Sequence, residues 1–359
     1  MTRQQSRLID IIDDMCETKD VLYHMVRTVK DIMTYNVKTL TLDDTIEMCL
    51  EIMNENKIRH IPILDIATDK EAKPYFVGIV SQRDVFRQIS PYLGKNVKAD
   101  SDMMALRQLL VQIVTRKPKC ASPETPIQDA TKLMVENRVD SVPVLLENDL
   151  VGIVTSTDVL KLFVRLHAIG QLCDEKAKTG PRRRFVDLLA GNSDKAIWVL
   201  SSVLGTVKDI MTEQVVSLQE HENLDKVMKV MQKGKFRHVP VVNKKNKLIG
   251  IISDRDVLRL LPFRKSQRRP QSDLFRAELF DVEPKEPVIW QQVYRIMNRD
   301  VIHVQPSCSF QDAVKMLHDM KISCLPVTDD NKKLLGIATV TDVMRGLLAA
   351  YAVFEKALA

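Results

Sequence analysis

Very little of this 359-residue sequence is aromatic: Phe, Tyr and Trp together make up 5%. Nucleic-acid sites ordinarily interleave aromatic or Gly-rich context with their basic residues. Neither basic run here does so. Thr179-Gly180-Pro181-Arg182-Arg183-Arg184 is a turn followed by three arginines, with Phe185 the single aromatic beside it, and residues 264–271 read RKSQRRPQ. Both read as solvated surface. Cysteine is equally sparse, at Cys16, Cys49, Cys120, Cys173, Cys308 and Cys324. No two form a CxxC pair, so the spacing suggests neither a zinc site nor a disulfide framework, and reduced thiols in a cytoplasm are expected. No apolar run reaches the roughly 18 residues of a membrane span; the stretch from Ala196 to Val207 is short and contains Ser201, Ser202 and Thr206. The start, MTRQQSRLIDIIDD, carries acids too early for a signal peptide. Also missing are a nucleophile elbow, a P-loop, HExxH and a dinucleotide glycine fingerprint. His24, His167, His221, His303 and His318 show no metal-ligand spacing. No catalytic residue, no metal and no enzyme activity are therefore expected.

What remains is an ordinary globular composition, 45% apolar and 28% charged, with 53 Lys and Arg against 47 Asp and Glu. Disorder throughout is excluded. The net charge of +6 permits an anionic partner without requiring nucleic acid.

The sequence repeats itself. TVKDIMT stands at Thr28–Thr34 and again, unchanged, at Thr206–Thr212. The same offset carries Arg59-His60-Ile61-Pro62 onto Arg237-His238-Val239-Pro240, and after a six-residue gain in the first copy, Gly78–Asp84 aligns with Gly250–Asp256. A second unit lies in each half: Gln128-Asp129-Ala130 matches Gln311-Asp312-Ala313, Pro143 matches Pro326, and Gly152–Asp158 matches Gly336–Asp342. All four share an apolar strand-like start, a helix, an x-Pro-hydrophobic strand and Gly-Ile-x-[Ser/Thr]-x-x-Asp. In the first unit Val37, Thr39 and Thr41 are β-formers expected on a short strand, and Ile46, Leu50 and Met53 recur at helical spacing. Ile61–Leu64 and Phe76–Val80 read as buried strands, and Ser81 is placed to cap the next helix. The order is β-α-β-β-α.

This pattern resembles the cystathionine beta-synthase (CBS) domain. The resemblance covers about two thirds of the chain and implies an α/β (α+β) fold, with four β-α-β-β-α CBS repeats paired into two pseudo-twofold Bateman modules. The expected organisation is an N-terminal helical segment 1–27, repeats at 28–92 and 113–168, a connector 169–205, a repeat at 206–263, a connector 264–293, a repeat at 294–352 and a tail 353–359. Leu8, Ile11, Ile12, Met15 and Leu22 suggest that the N-terminal helix is amphipathic and packs on the first module. Cys120, Cys308 and Cys324, with Met228 and Met231, are expected in the core.

The family role implied is regulatory binding of an adenosine-bearing ligand, namely AMP, ADP, ATP or S-adenosylmethionine, with occupancy passed to a regulated protein that the sequence does not identify. No membrane association and no covalent cofactor are implied. Two modules would stack into a monomeric four-repeat disc or form a homodimer. Such a ligand needs a carboxylate for its ribose hydroxyls and hydroxyl and helix N-terminal donors for phosphate. By resemblance, Asp84, Asp158, Asp256 and Asp342 would hold ribose, while Ser81, Thr155, Ser253 and Thr339 would contact phosphate. Val37, Pro118, Val215 and Val301 would meet the adenine edge through their backbone, and Pro118 lacks the N–H to donate. Ser-x-x-Asp is also a capping pattern needing no ligand. Arg59-His60 and Arg237-His238 suit phosphate, against a packing role for each histidine. Units two and four carry Asp140-Ser141 and Ser323-Cys324 instead, and Asp140 would repel phosphate if it faced the cleft. Unit three, with Asp256, is the strongest single site. The competing reading is a scaffold or nucleic-acid-binding protein with empty clefts.

Overall fold

The computed structural model describes residues 27–65, 74–89, 104–165, 205–259 and 290–358. The expected N-terminal helix and both basic runs lie outside them. Unit one comprises β1 (Leu40–Thr41), α1 (Ile46–Glu55), β2 (His60–Asp65), β3 (Tyr75–Ser81) and α2 (Gln82–Ile89). Unit two comprises β4 (Thr115–Arg116), α3 (Ile127–Asn137), β5 (Ser141–Leu146), β6 (Asp149–Thr155) and α4 (156–165). Unit three has β7 (Leu218–Gln219), α5 (Leu224–Gly234), β8 (His238–Val242), β9 (Leu248–Ser253) and α6 (Asp254–Leu258). Unit four has α7 (Phe310–Asp319), β10 (Cys324–Thr328), β11 (Leu334–Thr339) and α8 (Val340–Leu358). The expected tail at 353–359 is thus helical through Leu358.

Within each unit the x-Pro strand pairs antiparallel with the Gly-Ile strand: His60 opposite Ser81, Ser141 opposite Thr155, His238 opposite Ser253 and Cys324 opposite Thr339. The first strand is shorter than expected. It runs parallel to the Pro strand for two residues at Leu40–Thr41 and Leu218–Gln219, and shrinks to single bridges, Ala121 with Val144 and Val304 with Val327, in units two and four. The first helix of each unit buries one stripe, such as Ile46, Cys49, Leu50 and Met53 of α1. Thr45, Asn223 and Ser309 cap α1, α5 and α7 by accepting from the N–H three residues on.

Pairing is reciprocal. The segment leading into unit one lies on unit two, where the Thr34 and Ile153 N–H groups donate to each other's carbonyls at 2.9 and 3.0 Å. The segment leading into unit two lies on unit one as β4 against β3, with Gly78 opposite Arg116. Units three and four exchange likewise: Thr212 with Ile337, and Asn298 with Ile251. A short 3₁₀ turn opens each lead, and its first residue, Val29, Leu110, Val207 or Val293, is wholly buried.

The two modules pack like against like. One continuous core joins units one and three, and another joins units two and four. In the second, the Phe163 and Phe310 rings meet edge to face at 5.6 Å and 88°, the orientation favoured by the ring quadrupoles. Met228, Met231 and Cys324 are buried as expected, whereas Cys120 and Cys308 are partly exposed, since they lie on the loops flanking the first bridge of their units, where the equivalent Thr39 and Asp44 of unit one are also part-exposed. No helix among the described residues is long and apolar enough to cross a membrane.

The glycine repeated in each Gly-Ile strand lies where the partner's leading segment crosses it. A Cβ on Gly78 would collide with the Thr115 carbonyl oxygen, which cannot move without breaking the β3–β4 pairing. On Gly250 it would first meet the flexible Met297 side chain, with the Asn298 oxygen at 3.2 Å. Gly78→Ala is therefore expected to cost about 2–3 kcal/mol and Gly250→Ala about 1 kcal/mol or less. Equal losses in urea denaturation of the two variants would contradict this account of the crossing.

Candidate functional site

The Gly-Ile strand ends, in every unit, in the same turn. The Asp84 Oδ2 accepts from the Ser81 N–H at 2.9 Å and the Ser81 hydroxyl at 2.6 Å. Asp158 does so with Thr155 (2.8 and 2.7 Å), Asp256 with Ser253 (2.9 and 2.7 Å) and Asp342 with Thr339 (2.9 and 2.6 Å). The Ser81 and Ser253 hydroxyls also stand 3.3 Å from the Asp84 and Asp256 N–H groups, and Thr339 from that of Asp342. This is the reciprocal capping box. Capping therefore engages one carboxylate oxygen of each aspartate and leaves Oδ1 for other contacts. Arg259 lies 3.7 Å from the Asp256 Oδ1, and Arg345 donates to the Asp342 Oδ1 at 3.2 Å. Burial raises the Asp158 pKa, against the hydrogen bonds from Thr155.

Val37, Pro118, Val215 and Val301 are half-buried and lie outside the strands. Each stands three residues ahead of its strand or bridge, at Leu40, Ala121, Leu218 and Val304, and just beyond the crossing onto the partner unit. The expected strand position of Val37 is thus corrected: the crossing at Thr34 holds this stretch away from β2.

The second feature begins at the end of each first helix. Lys57, Arg138, Lys235 and Lys321 all adopt left-handed backbone, with φ of 56°, 55°, 55° and 54°. Such a residue closes the helix and reverses the chain. Two residues later, in every copy, come Arg59, Asp140, Arg237 and Ser323. Each offers its carbonyl to the helix that follows the Gly-Ile strand: Arg59 to Gln82, Asp140 to Ser156, Arg237 to Asp254, and Ser323 to Val340. Four equivalent backbone corners thereby present four different side chains.

Those side chains converge across the module boundary. Arg237 of unit three forms a bidentate ion pair with Asp140 of unit two, Nη1 to Oδ2 at 2.5 Å and Nη2 to Oδ1 at 2.8 Å. The unit-one Arg83 approaches the same carboxylate at 4.0 Å and donates to the Arg138 carbonyl at 3.3 Å, while its buried Nε has no partner. His238 Nε2 and the Ser323 hydroxyl share a hydrogen bond of 3.0 Å between units three and four. Arg59, Arg255 and the buried Asp254 complete the cluster.

The electrostatics follow from confinement. Burial opposes the Asp140 charge, but Arg237, His60, Arg59 and Arg83 outweigh it and hold the carboxyl below its ordinary range. Burial, ahead of its arginine neighbours, pushes Asp254 up. Arg59 is drawn down to about 10 by burial and by Arg237. His60 and His238 are held down to about 3, chiefly by burial, with Asp140 opposing and the arginines reinforcing. Both rings are thus neutral at pH 7, and the junction holds four guanidiniums against two carboxylates.

The two Arg-His pairs accordingly meet at one junction. Asp140 does face it, but as the counter-ion of Arg237. Sequence reasoning missed Arg83, Arg255 and Asp254. A signal was available: the residue before the motif aspartate is Arg in units one and three, Arg83-Asp84 and Arg255-Asp256, and Thr in units two and four, Thr157-Asp158 and Thr341-Asp342. Among the described residues no three His, Cys, Asp or Glu side chains group as metal ligands would.

Comparison with known proteins gives the pattern a family. The CBS domain model matches residues 29–91, 110–165, 207–262 and 293–349. Protein MJ1225 of Methanocaldococcus jannaschii is 24% identical over 325 residues, 89% of this chain and 98% of its own. MJ1404 of the same organism is 24% identical over 88% of this chain, which spans only 61% of that relative. The crystal structure of MJ1225, proposed to be an archaeal homologue of γ-AMPK, superposes with a TM-score of 0.64 at 21% identity, covering 89% of this chain and 99% of that one. A conserved protein of Pyrococcus horikoshii gives 0.51 at 22% identity, covering 90% and 100%.

The neutral histidines generate a pH dependence. Unfolded, each ring titrates near 6.5; folded, near 3. Their contribution to stability is complete above about pH 6.5 and is lost as the pH falls toward 3. Between pH 6 and 4, each should steepen the loss by about 1 kcal/mol per pH unit. Urea midpoints of the His60→Gln/His238→Gln double variant should accordingly fall less with acid than those of the unaltered protein; parallel acid limbs would place the titration elsewhere.

Proposed function

Because the chain belongs to the CBS domain family, with four copies over well more than half its length, we propose that it is a non-catalytic regulatory protein. It binds adenosine-bearing ligands in clefts between paired units and passes occupancy to a partner protein. One observation carries the reading: the capped aspartates and the guanidinium cluster are adjacent by construction. Arg83 precedes Asp84, and Arg255 precedes Asp256, on the first turn of α2 and α6. A ribose held on the aspartate would carry its 5′-phosphate toward a junction with two more guanidiniums than carboxylates. AMP, ADP and ATP fit that description. S-adenosylmethionine shares the adenosine but brings no phosphate. Val37, Pro118, Val215 and Val301, all just past the inter-unit crossing, remain our assignment for the adenine edge. Ser81, Thr155, Ser253 and Thr339, with Arg59, His60, Arg237 and His238, remain our assignment for phosphate. A cytoplasmic, single-chain disc is the setting we propose.

Ligand binding to the folded state alone stabilises by about 2.7 kcal/mol at 100 times the dissociation constant, roughly 5–11 °C in melting temperature for a unit of 150–250 residues. Millimolar AMP is expected to produce a shift of that order. Asp84→Asn and Asp256→Asn preserve much of the cap but remove the charged ribose acceptor. Each should weaken nucleoside binding at its own cleft about ten-fold or more by calorimetry, while changing the empty protein by about 1 kcal/mol. Absence of any shift with AMP, ADP, ATP or S-adenosylmethionine would give the scaffold reading the advantage.

A further inference from the structure

The Asp140–Arg237 pair has a geometry of its own within the junction. A guanidinium offers one planar fork to an oxyanion, and Asp140 takes it from both nitrogens, at 2.5 and 2.8 Å. The two residues are largely buried, with side-chain exposures of 14% and 9%. They belong to different modules, and each stands at the same corner of its repeat, two residues after a left-handed turn. At that corner unit one carries Arg59 and unit four Ser323; unit two alone supplies a carboxylate. Around it stand Arg83 at 4.0 Å, with a buried Nε lacking any partner, then Arg59 and His60. The single Asp140 charge is shared among several cations and satisfies none but Arg237 fully.

We propose that Asp140 is an internal stand-in for phosphate. Its carboxylate occupies the Arg237 fork, and a phosphorylated ligand must displace it to bind. This inference rests on the nucleotide reading above and adds its regulation. A phosphate dianion brings more charge to the guanidiniums than one carboxylate, which offsets the cost of leaving the buried Asp140 without its partner. It also cuts the bidentate tie between units two and three. Ligands lacking phosphate leave that tie intact. Occupancy by a nucleotide and by a nucleoside thus differ in what they do to the module boundary, and ligand charge becomes a change in inter-module contact.

Titration of the full chain with AMP and with adenosine tests this. Asp140→Asn should bind AMP at least ten-fold more tightly than the unaltered protein does and bind adenosine equally. If the amide variant does not fold, Asp140→Ser, the residue type that unit four carries, takes its place. Hydrogen exchange on the unaltered protein needs no variant: AMP should speed exchange in 138–142, where Asp140 loses its partner, and slow it in 235–239, where phosphate holds Arg237. Adenosine should change neither segment in that way. Adenosine binding to both proteins with AMP affinity unchanged or weaker in the variant, or equal protection of both segments by AMP, overturns the stand-in and leaves nucleotide binding in place. Failure of unaltered and variant protein to bind AMP, adenosine, ADP, ATP or S-adenosylmethionine overturns both.

Discussion

Every unit in this chain is completed by its partner's leading segment. Four 3₁₀ turns bury their first residue in the neighbouring unit, and the chain then crosses that neighbour's Gly-Ile strand before entering its own. The crossing is a backbone contact, so it demands a position without a side chain, and Gly78, Gly152, Gly250 and Gly336 supply it. A unit without its partner would expose both the apolar turn site and an unpaired strand edge. The module, a pair of units, is therefore the smallest piece whose polar backbone and apolar core are both satisfied. The same crossing fixes where Val37, Pro118, Val215 and Val301 lie, because each follows it within a few residues.

From that frame the charge at the centre is set by geometry. The left-handed turn after each first helix has no glycine; Lys57, Arg138, Lys235 and Lys321 bear the conformational cost, about 1 kcal/mol or more each. The turn reverses the chain toward the module boundary, and the carbonyl of the next-but-one residue is pinned by the helix of its own unit. The side chains at these corners are thus brought together by the backbone before their own interactions count. Enclosure then weakens the charged forms of Arg59 and both histidines, whereas the cations around Asp140 hold its carboxyl below the ordinary range.

Most of the fold was legible in the sequence because its determinants are local and repeated. TVKDIMT, the Pro strand and the Gly-Ile turn each mark an element by a residue type that the backbone requires. The helix stripe at Ile46, Leu50 and Met53 was equally plain. The turn aspartates were legible as caps, since Ser/Thr-x-x-Asp specifies a cap whatever else it does: the aspartate accepts from the turn N–H and hydroxyl in all four copies, with the return bond to its own N–H in units one, three and four. What was hidden is what depends on pairing between distant segments. Strand length at Val37 could not be read from β propensity, because the inter-unit crossing at Thr34 decides it. Repulsion of phosphate by Asp140 was the reasonable inference for an isolated acid; its partner lies 97 positions away.

Divergence among the four units has a physical cause at the junction. All four guanidiniums there, Arg59, Arg83, Arg237 and Arg255, come from units one and three, which share one core. Four identical repeats would bring a like charge to the same point from every side, and at these separations and this degree of burial the mutual repulsion would be severe. Pseudo-symmetry of the backbone consequently requires asymmetry of the side chains. Units two and four provide it with Asp140 and Ser323 at the corner, and Thr157 and Thr341 where the others have arginine. Asp254 compensates the cations from within unit three, and the second carboxylate, Asp140, comes from the other core and reaches across the boundary to Arg237. The contact that holds the two modules at their centre is in this sense a consequence of repeating one unit four times around a point.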